Sequence, residues 1–77
     1  MEAEDRIRNV MAAVFDVPAA EITDEASPHD IKGWDSLKHM NLVLALEEEF
    51  DIRFDEAEIA SLVNFRIIAA TVRAYAE

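Results

Sequence analysis

Ser36 stands between Asp35 and Leu37, with His39 three residues further on, in a chain of 77 residues. These residue types admit two chemistries. Serine, histidine and aspartate are the members of a nucleophilic triad, but neighbouring positions at a helix start do not set up the relay in which one group orients the next. Gly33 is the one glycine of the chain, so no glycine-rich turn can build an oxyanion hole. A domain this small also has little room for a deep cleft. No catalytic residue is assigned. The second chemistry uses the serine as an acceptor. A hydroxyl where a polar loop becomes a helix lies in solvent at the positive end of a helix dipole, where a phosphate is well placed. A plain helix cap is the simpler role for Ser36, and the two roles are compatible.

Hydrophobic spacing supplies the elements that position this junction. A first helix is predicted from about Ala3 to Phe15, with Ile7, Val10, Met11 and Val14 at i, i+3, i+4 and i+7 on one face. Pro18 lies beyond its end as a stop signal. From Asp16 to Asp35 the chain carries both prolines and its glycine and reads as a long ordered loop, with Ile22 and Ile31 expected to reach the core. Loops of this length are often functional. A second helix is expected from Ser36 to about Phe50, with Asp35 or Ser36 as N-cap. Asp55 and Glu58 form a capping-box pair for a short third helix. Asn64 can cap a fourth, whose Phe65, Ile68, Val72 and Tyr75 share a face. The expected fold class is all-α: a four-helix bundle with a long first loop and a short third helix, in a single domain spanning residues 1–77.

At roughly 100° per residue, Leu42, Val43, Leu46 and Phe50 gather on one side of the second helix, and Leu37, Met40 and Leu44 on nearly the opposite side. The first group suits a bundle core. The second should remain exposed beside Ser36, rimmed by Glu47 and Glu48, as a docking surface. Leu37 is expected to be shared between packing on the loop and contact with whatever Ser36 carries. Trp34 is expected to cover the loop–helix junction with its large amphipathic ring.

Composition narrows the function. Seventeen acidic against seven basic residues give a formal charge of −10. Nucleic acid, which requires a basic footprint, is excluded as a partner, and basic proteins are favoured. The chain has no cysteine, hence no disulfide, no cysteine-based metal site and no thiol of its own. The acidic clusters lack the alternating ligand spacing of a calcium loop, so no metal is expected. No apolar run approaches the roughly 20 residues of a membrane span, and Met1-Glu2-Ala3-Glu4-Asp5 is unlike a secretory signal. A cytoplasmic, freestanding monomer is expected.

The segment Asp35 to Phe50, with Asp35-Ser36-Leu37 at its start and Leu42-Val43-Leu44-Ala45-Leu46-Glu47-Glu48-Glu49-Phe50 at its end, resembles the signature region of acyl carrier proteins. The resemblance extends over nearly the whole chain and implies the same bundle architecture. It also implies 4′-phosphopantetheine, derived from coenzyme A, covalently attached at Ser36, with Asp35 helping to present the site and Leu37 beside the arm. The arm's thiol would hold acyl groups as thioesters, making the protein a tether and not an enzyme. The implied partners are a phosphopantetheinyl transferase and acyl-loading and acyl-processing enzymes with basic docking surfaces. They would read Lys38, Met40, Asn41, Leu44, Glu47, Glu48 and Asp55, with Glu49 adding to the field that steers them.

Several positions depart from the fatty-acid-synthesis form of the pattern. Trp34 replaces a small residue, Lys38 an acidic one, Asn41 a glutamate, and Pro28 and Lys32 apolar loop residues. These changes leave Ser36 intact and alter the surface that partners read. They suit a specialised carrier of a fatty-acid, lipid-modifying or polyketide pathway. The alternatives are a peptidyl or aminoacyl carrier with the same serine chemistry, or an unmodified helical interaction protein of the same fold.

Overall fold

The computed structural model describes residues 2–76, and over these it contains four α-helices and no strand. The helices are α1 (Ala3–Phe15), α2 (Ser36–Phe50), α3 (Glu56–Ser61) and α4 (Phe65–Ala76), with one short 3-10 turn at Ala19–Glu21 inside the long loop. α1 packs against α2 and α4, while α3 lies at the periphery.

The starts of α2, α3 and α4 have the expected chemistry. Asp35 caps α2, its Oδ1 accepting from the Lys38 amide at 2.9 Å. Asp55 and Glu58 form a reciprocal capping box, at 2.8 and 3.0 Å, for α3. Asn64 Oδ1 accepts from the Ile67 amide at 2.8 Å at the start of α4. The ends of α1 and α2 fall where expected, at Phe15 and Phe50, but their cap geometry was not foreseen. Phe15-Asp16-Val17 and Phe50-Asp51-Ile52 close them in the same way, with Asp16 (φ 57°) and Asp51 (φ 56°) left-handed. The amides of Val17 and Ile52 turn back to the carbonyls of Ala12 and Glu47, both at 3.1 Å. This is the Schellman arrangement with aspartate in the position that glycine usually fills.

The core unites Ile7, Met11 and Phe15 of α1 with Leu42, Val43 and Leu46 of α2 and Phe65, Ile68 and Val72 of α4. Ile22 and Ile31 are buried as expected, and Val10 and Val14 pack against the cluster from its edge. Tyr75 departs from the core face on which its spacing placed it. It is 41% exposed, lies edge-on to Phe54 at 5.7 Å, and donates its hydroxyl hydrogen bond to Glu58.

The long loop is fastened at both flanks. Arg8 donates to the Ile22 carbonyl at 2.7 Å and to Asp24 at 2.6 Å. The Phe65 amide donates to the Ala26 carbonyl at 2.9 Å, joining the loop to the start of α4. Its last turn passes through Gly33, at φ 87°, before the chain straightens into Asp35. Trp34 is buried there against Phe15, ring centroids 5.0 Å apart, and covers the junction as its size suggested.

Candidate functional site

Ser36 is the first residue of α2 and is exposed. Because the Asp35 carboxylate performs the capping, the Ser36 hydroxyl is left out of the helix's own hydrogen bonding and faces solvent. The two candidates for the N-cap thus separate into a carboxylate that organises the turn and a hydroxyl that is free to react.

Ser36 opens onto a groove of about 530 Å³. Pro28, Trp34, Asp35, His39 and Met40 form one side of it and Glu56, Ile59, Ala60, Leu62 and Val63 the other. The groove is mostly apolar, with carboxylates at Asp35 and Glu56. No periodicity within one helix signals such a site, because it arises where the loop, α2 and α3 meet.

His39 is half-buried and committed to packing. Its Nδ1 lies 3.0 Å from Trp34 Nε1, and its Nε2 lies 2.8 Å from the Ile59 carbonyl oxygen. The indole N–H can only donate and the carbonyl can only accept, so the imidazole is neutral and carries its hydrogen on Nε2. Neither nitrogen is available to take a proton from Ser36, which removes the triad chemistry on geometric grounds.

The apolar face beyond the serine is exposed as its spacing required: Leu37 by 70%, Met40 by 43% and Leu44 by 59%. Most of the Leu37 side chain is left open to solvent next to Ser36. Asn41 and Glu48 are exposed on the same helix. Four other surface candidates have structural work. The Lys38 ammonium lies 3.2 Å from the Val14 carbonyl oxygen. Glu47 Oε2 accepts from the Phe54 amide at 2.9 Å. Asp55 caps α3. Glu49 pairs with Arg6 at 2.9 Å. Among the described residues no three histidine or acidic side chains converge as a metal site would require.

These features fit a phosphopantetheine arm: a spare, exposed hydroxyl at a helix N-terminus, with an apolar groove alongside. The comparisons agree. The family model described as "Phosphopantetheine attachment site" matches residues 5–72. The chain is similar to Polyketide-8 synthase acyl carrier protein 2 of Streptomyces avermitilis, with 32% identity over 63 residues, 82% of this chain and 72% of that one. Its fold is similar to the solution structure of a holo acyl carrier protein from Geobacter metallireducens. The TM-score is 0.84 at 36% identity, over 96% of this chain and 85% of that one.

Proposed function

The chain belongs to the phosphopantetheine-bearing acyl carrier proteins, and from that premise we propose that Ser36 is the residue to which its arm is joined. The observation that carries this reading is the division of labour at the head of α2, where Asp35 caps and Ser36 remains exposed.

Carriers of this family are tethers and not enzymes. The arm, when bound, supplies the thiol that holds an acyl group as a thioester, which a chain without cysteine cannot provide. The chain's own residues do the presenting. Asp35 fixes the first turn of α2, so that a phosphopantetheinyl transferase meets a preorganised serine. Leu37, exposed next to Ser36, would lie beside the arm. Met40 and Leu44 offer apolar contact, and Asn41 and Glu48 the polar margin, to acyl-loading and acyl-processing enzymes with basic docking surfaces. Tethering raises the effective concentration of the acyl group, so each docking step can be weak and reversible.

The pathway we propose is a specialised one. Lys38 and Asn41 support this reading, as does the similarity to a carrier named for a polyketide synthase. No helix among the described residues is long and apolar enough to cross a membrane, and we place the carrier's work in the cytoplasm, as a monomer.

Intact mass after co-expression with a broad-specificity phosphopantetheinyl transferase tests the assignment. Wild type should gain the mass of one arm, mapped by peptide analysis to Ser36, while Ser36→Ala should fold and remain unmodified. A modified Ser36→Ala protein would overturn it.

A further inference from the structure

Ser36 lies between two side chains that join across it. With Asp35 as the cap of α2, Trp34 stands one residue before the cap and His39 four residues past it. A packed pair at these two positions fixes the angle at which a chain enters its helix. Here the pair is more than an apolar contact. The rings lie nearly parallel, at 18° with centroids 6.2 Å apart, and the Trp34 indole donates to His39 Nδ1 at 3.0 Å. Both partners are also held from outside α2. Trp34 packs on Phe15 of α1 at 5.0 Å, and its amide donates to the Ile31 carbonyl at 3.3 Å. His39 Nε2 donates to the Ile59 carbonyl of α3 at 2.8 Å.

We propose that Trp34 and His39 are a positioning pair for Ser36, a staple across the first turn of α2 that fixes where the hydroxyl stands when a phosphopantetheinyl transferase docks. This rests on Ser36 as the attachment point. Helix ends fray, and Ser36 is the first residue of its helix. Two hydrogen bonds close the turn from within: Asp35 Oδ1 accepts from the Lys38 amide at 2.9 Å, and the Asp35 carbonyl accepts from the His39 amide at 2.8 Å. Neither ties the turn to the rest of the molecule. Lys38 does so through a long, flexible side chain that reaches Val14, whereas the staple uses two planar rings seated against α1 and α3. A transferase resting on the exposed face of Leu37, Met40 and Leu44 then meets the hydroxyl at one fixed offset. In the transfer the Ser36 oxygen bonds to the phosphorus that carries pantetheine. The bond from that phosphorus to the adenosine bisphosphate half of coenzyme A breaks, that half leaves with the electron pair, and the hydroxyl proton passes to a base of the transferase. Docking does not depend on the placement of the oxygen, but its attack on phosphorus does. Loss of the staple therefore acts on the transfer step and spares docking.

The test is steady-state modification of the apo protein by a broad-specificity phosphopantetheinyl transferase with coenzyme A, alongside hydrogen exchange of the apo protein alone. His39→Ala removes a half-buried ring and should lower kcat about tenfold while KM for the carrier stays within about twofold of wild type. The Lys38 amide and the Trp34 indole N–H should exchange about threefold faster or more in this variant. Trp34→Phe keeps a ring against Phe15 but removes the indole donor, and should lower kcat about threefold. His39→Gln, which can accept from Trp34 and donate to Ile59, should recover kcat to within about threefold of wild type. Val72→Ala, a core substitution in α4 away from this turn, should lower the urea midpoint and leave kcat unchanged. A wild-type kcat in His39→Ala would overturn the proposal, as would a loss confined to KM, unchanged exchange at Lys38, or an equal fall of kcat in Val72→Ala. An arm mapped away from Ser36 defeats the attachment reading, whereas an arm on Ser36 at an unaltered rate in His39→Ala defeats the staple alone.

Discussion

The Lys38 ammonium sits 3.2 Å from the carbonyl oxygen of Val14, so the cation two residues past Ser36 is engaged at the C-terminus of another helix. The last turn of α1 contains no basic residue of its own, and its end carries Asp16, the wrong charge for that pole of the dipole. Lys38 supplies the missing positive charge from α2. Its position on an acidic molecule suggested a group read by partners. The structure adds an internal function that any test of partner choice must separate from recognition.

Lys38→Met should therefore destabilise the fold by about 0.5–1 kcal/mol, the usual size of a cation at a helix C-terminus. Lys38→Asp should cost more, because it sets a carboxylate against a carbonyl. Lys38→Arg should stay near wild type. Urea denaturation measures all three, and a Lys38→Asp protein as stable as wild type would show that the contact holds nothing.

Backbone handedness gives a second expectation, with opposite signs at two sites. Gly33 has φ 87°, and a Cβ added there meets nothing within 4 Å, so Gly33→Ala carries only the conformational penalty, about 1–2 kcal/mol. Asp16 has φ 57° at the end of α1, where glycine is favoured and a negative charge is not. Asp16→Gly should raise stability by about 1 kcal/mol. Equal and opposite shifts in the urea midpoint would support the rule. A stabilising Gly33→Ala would contradict it.

What the sequence revealed and what it hid divide along a physical line. Asp35, Ser36 and the face of Leu42, Val43 and Leu46 were legible because caps and periodicity are local signals. The internal contacts of Lys38, Glu47 and His39 were not legible because their partners are backbone atoms of Val14, Phe54 and Ile59. A carbonyl or amide carries no residue type, so nothing in the sequence announces it as a partner. The left-handed caps that close α1 and α2 were not legible for another reason. The signal sought there is glycine, and this chain uses Phe-Asp-Val and Phe-Asp-Ile. Tyr75 obeyed the helical period and still left the core, because Glu58 offered its hydroxyl an acceptor at the surface.

That contact sets a pH dependence. The hydrogen bond to Glu58, with partial burial and the nearby charges of Glu58, Asp55 and Glu47, pushes the Tyr75 hydroxyl up from 10.0 to about 12. A raised folded value means that the neutral phenol is favoured by the native state. The stabilisation is complete below pH 10 and is lost as pH rises from there towards 12. Tyr75 is the one tyrosine of the chain, so tyrosinate absorbance reports it alone. The native protein should show little tyrosinate at pH 10.5, where a chain unfolded in urea shows a majority. Tyr75→Phe should remove the alkaline loss of stability between these limits. A native titration midpoint near 10 would dispose of the argument.

Partner choice is best tested where side chains have no second function. Leu44 is 59% exposed, and Asn41 is exposed on the same helix. Lys38, Glu47 and Asp55 each hold another part of the fold and would confound the result. Leu44→Ala removes apolar contact area without altering charge, so it should slow acyl loading by a housekeeping malonyl transferase and by the cognate loading enzyme alike. The expected loss is roughly five- to tenfold, equivalent to about 1 kcal/mol of apolar contact. Its melting temperature should stay within about 3 °C of wild type, because little buried surface is lost. Asn41→Glu changes charge alone and should act with opposite signs. It should improve service by the housekeeping enzyme and weaken service by the true partner, each by a few-fold, the scale of an exposed pair at an interface rim. Loading rates of wild type and both variants with the two enzymes decide the matter. If Asn41→Glu shifts both enzymes in the same direction, this face contributes affinity without discrimination, and the specialised reading loses its surface argument.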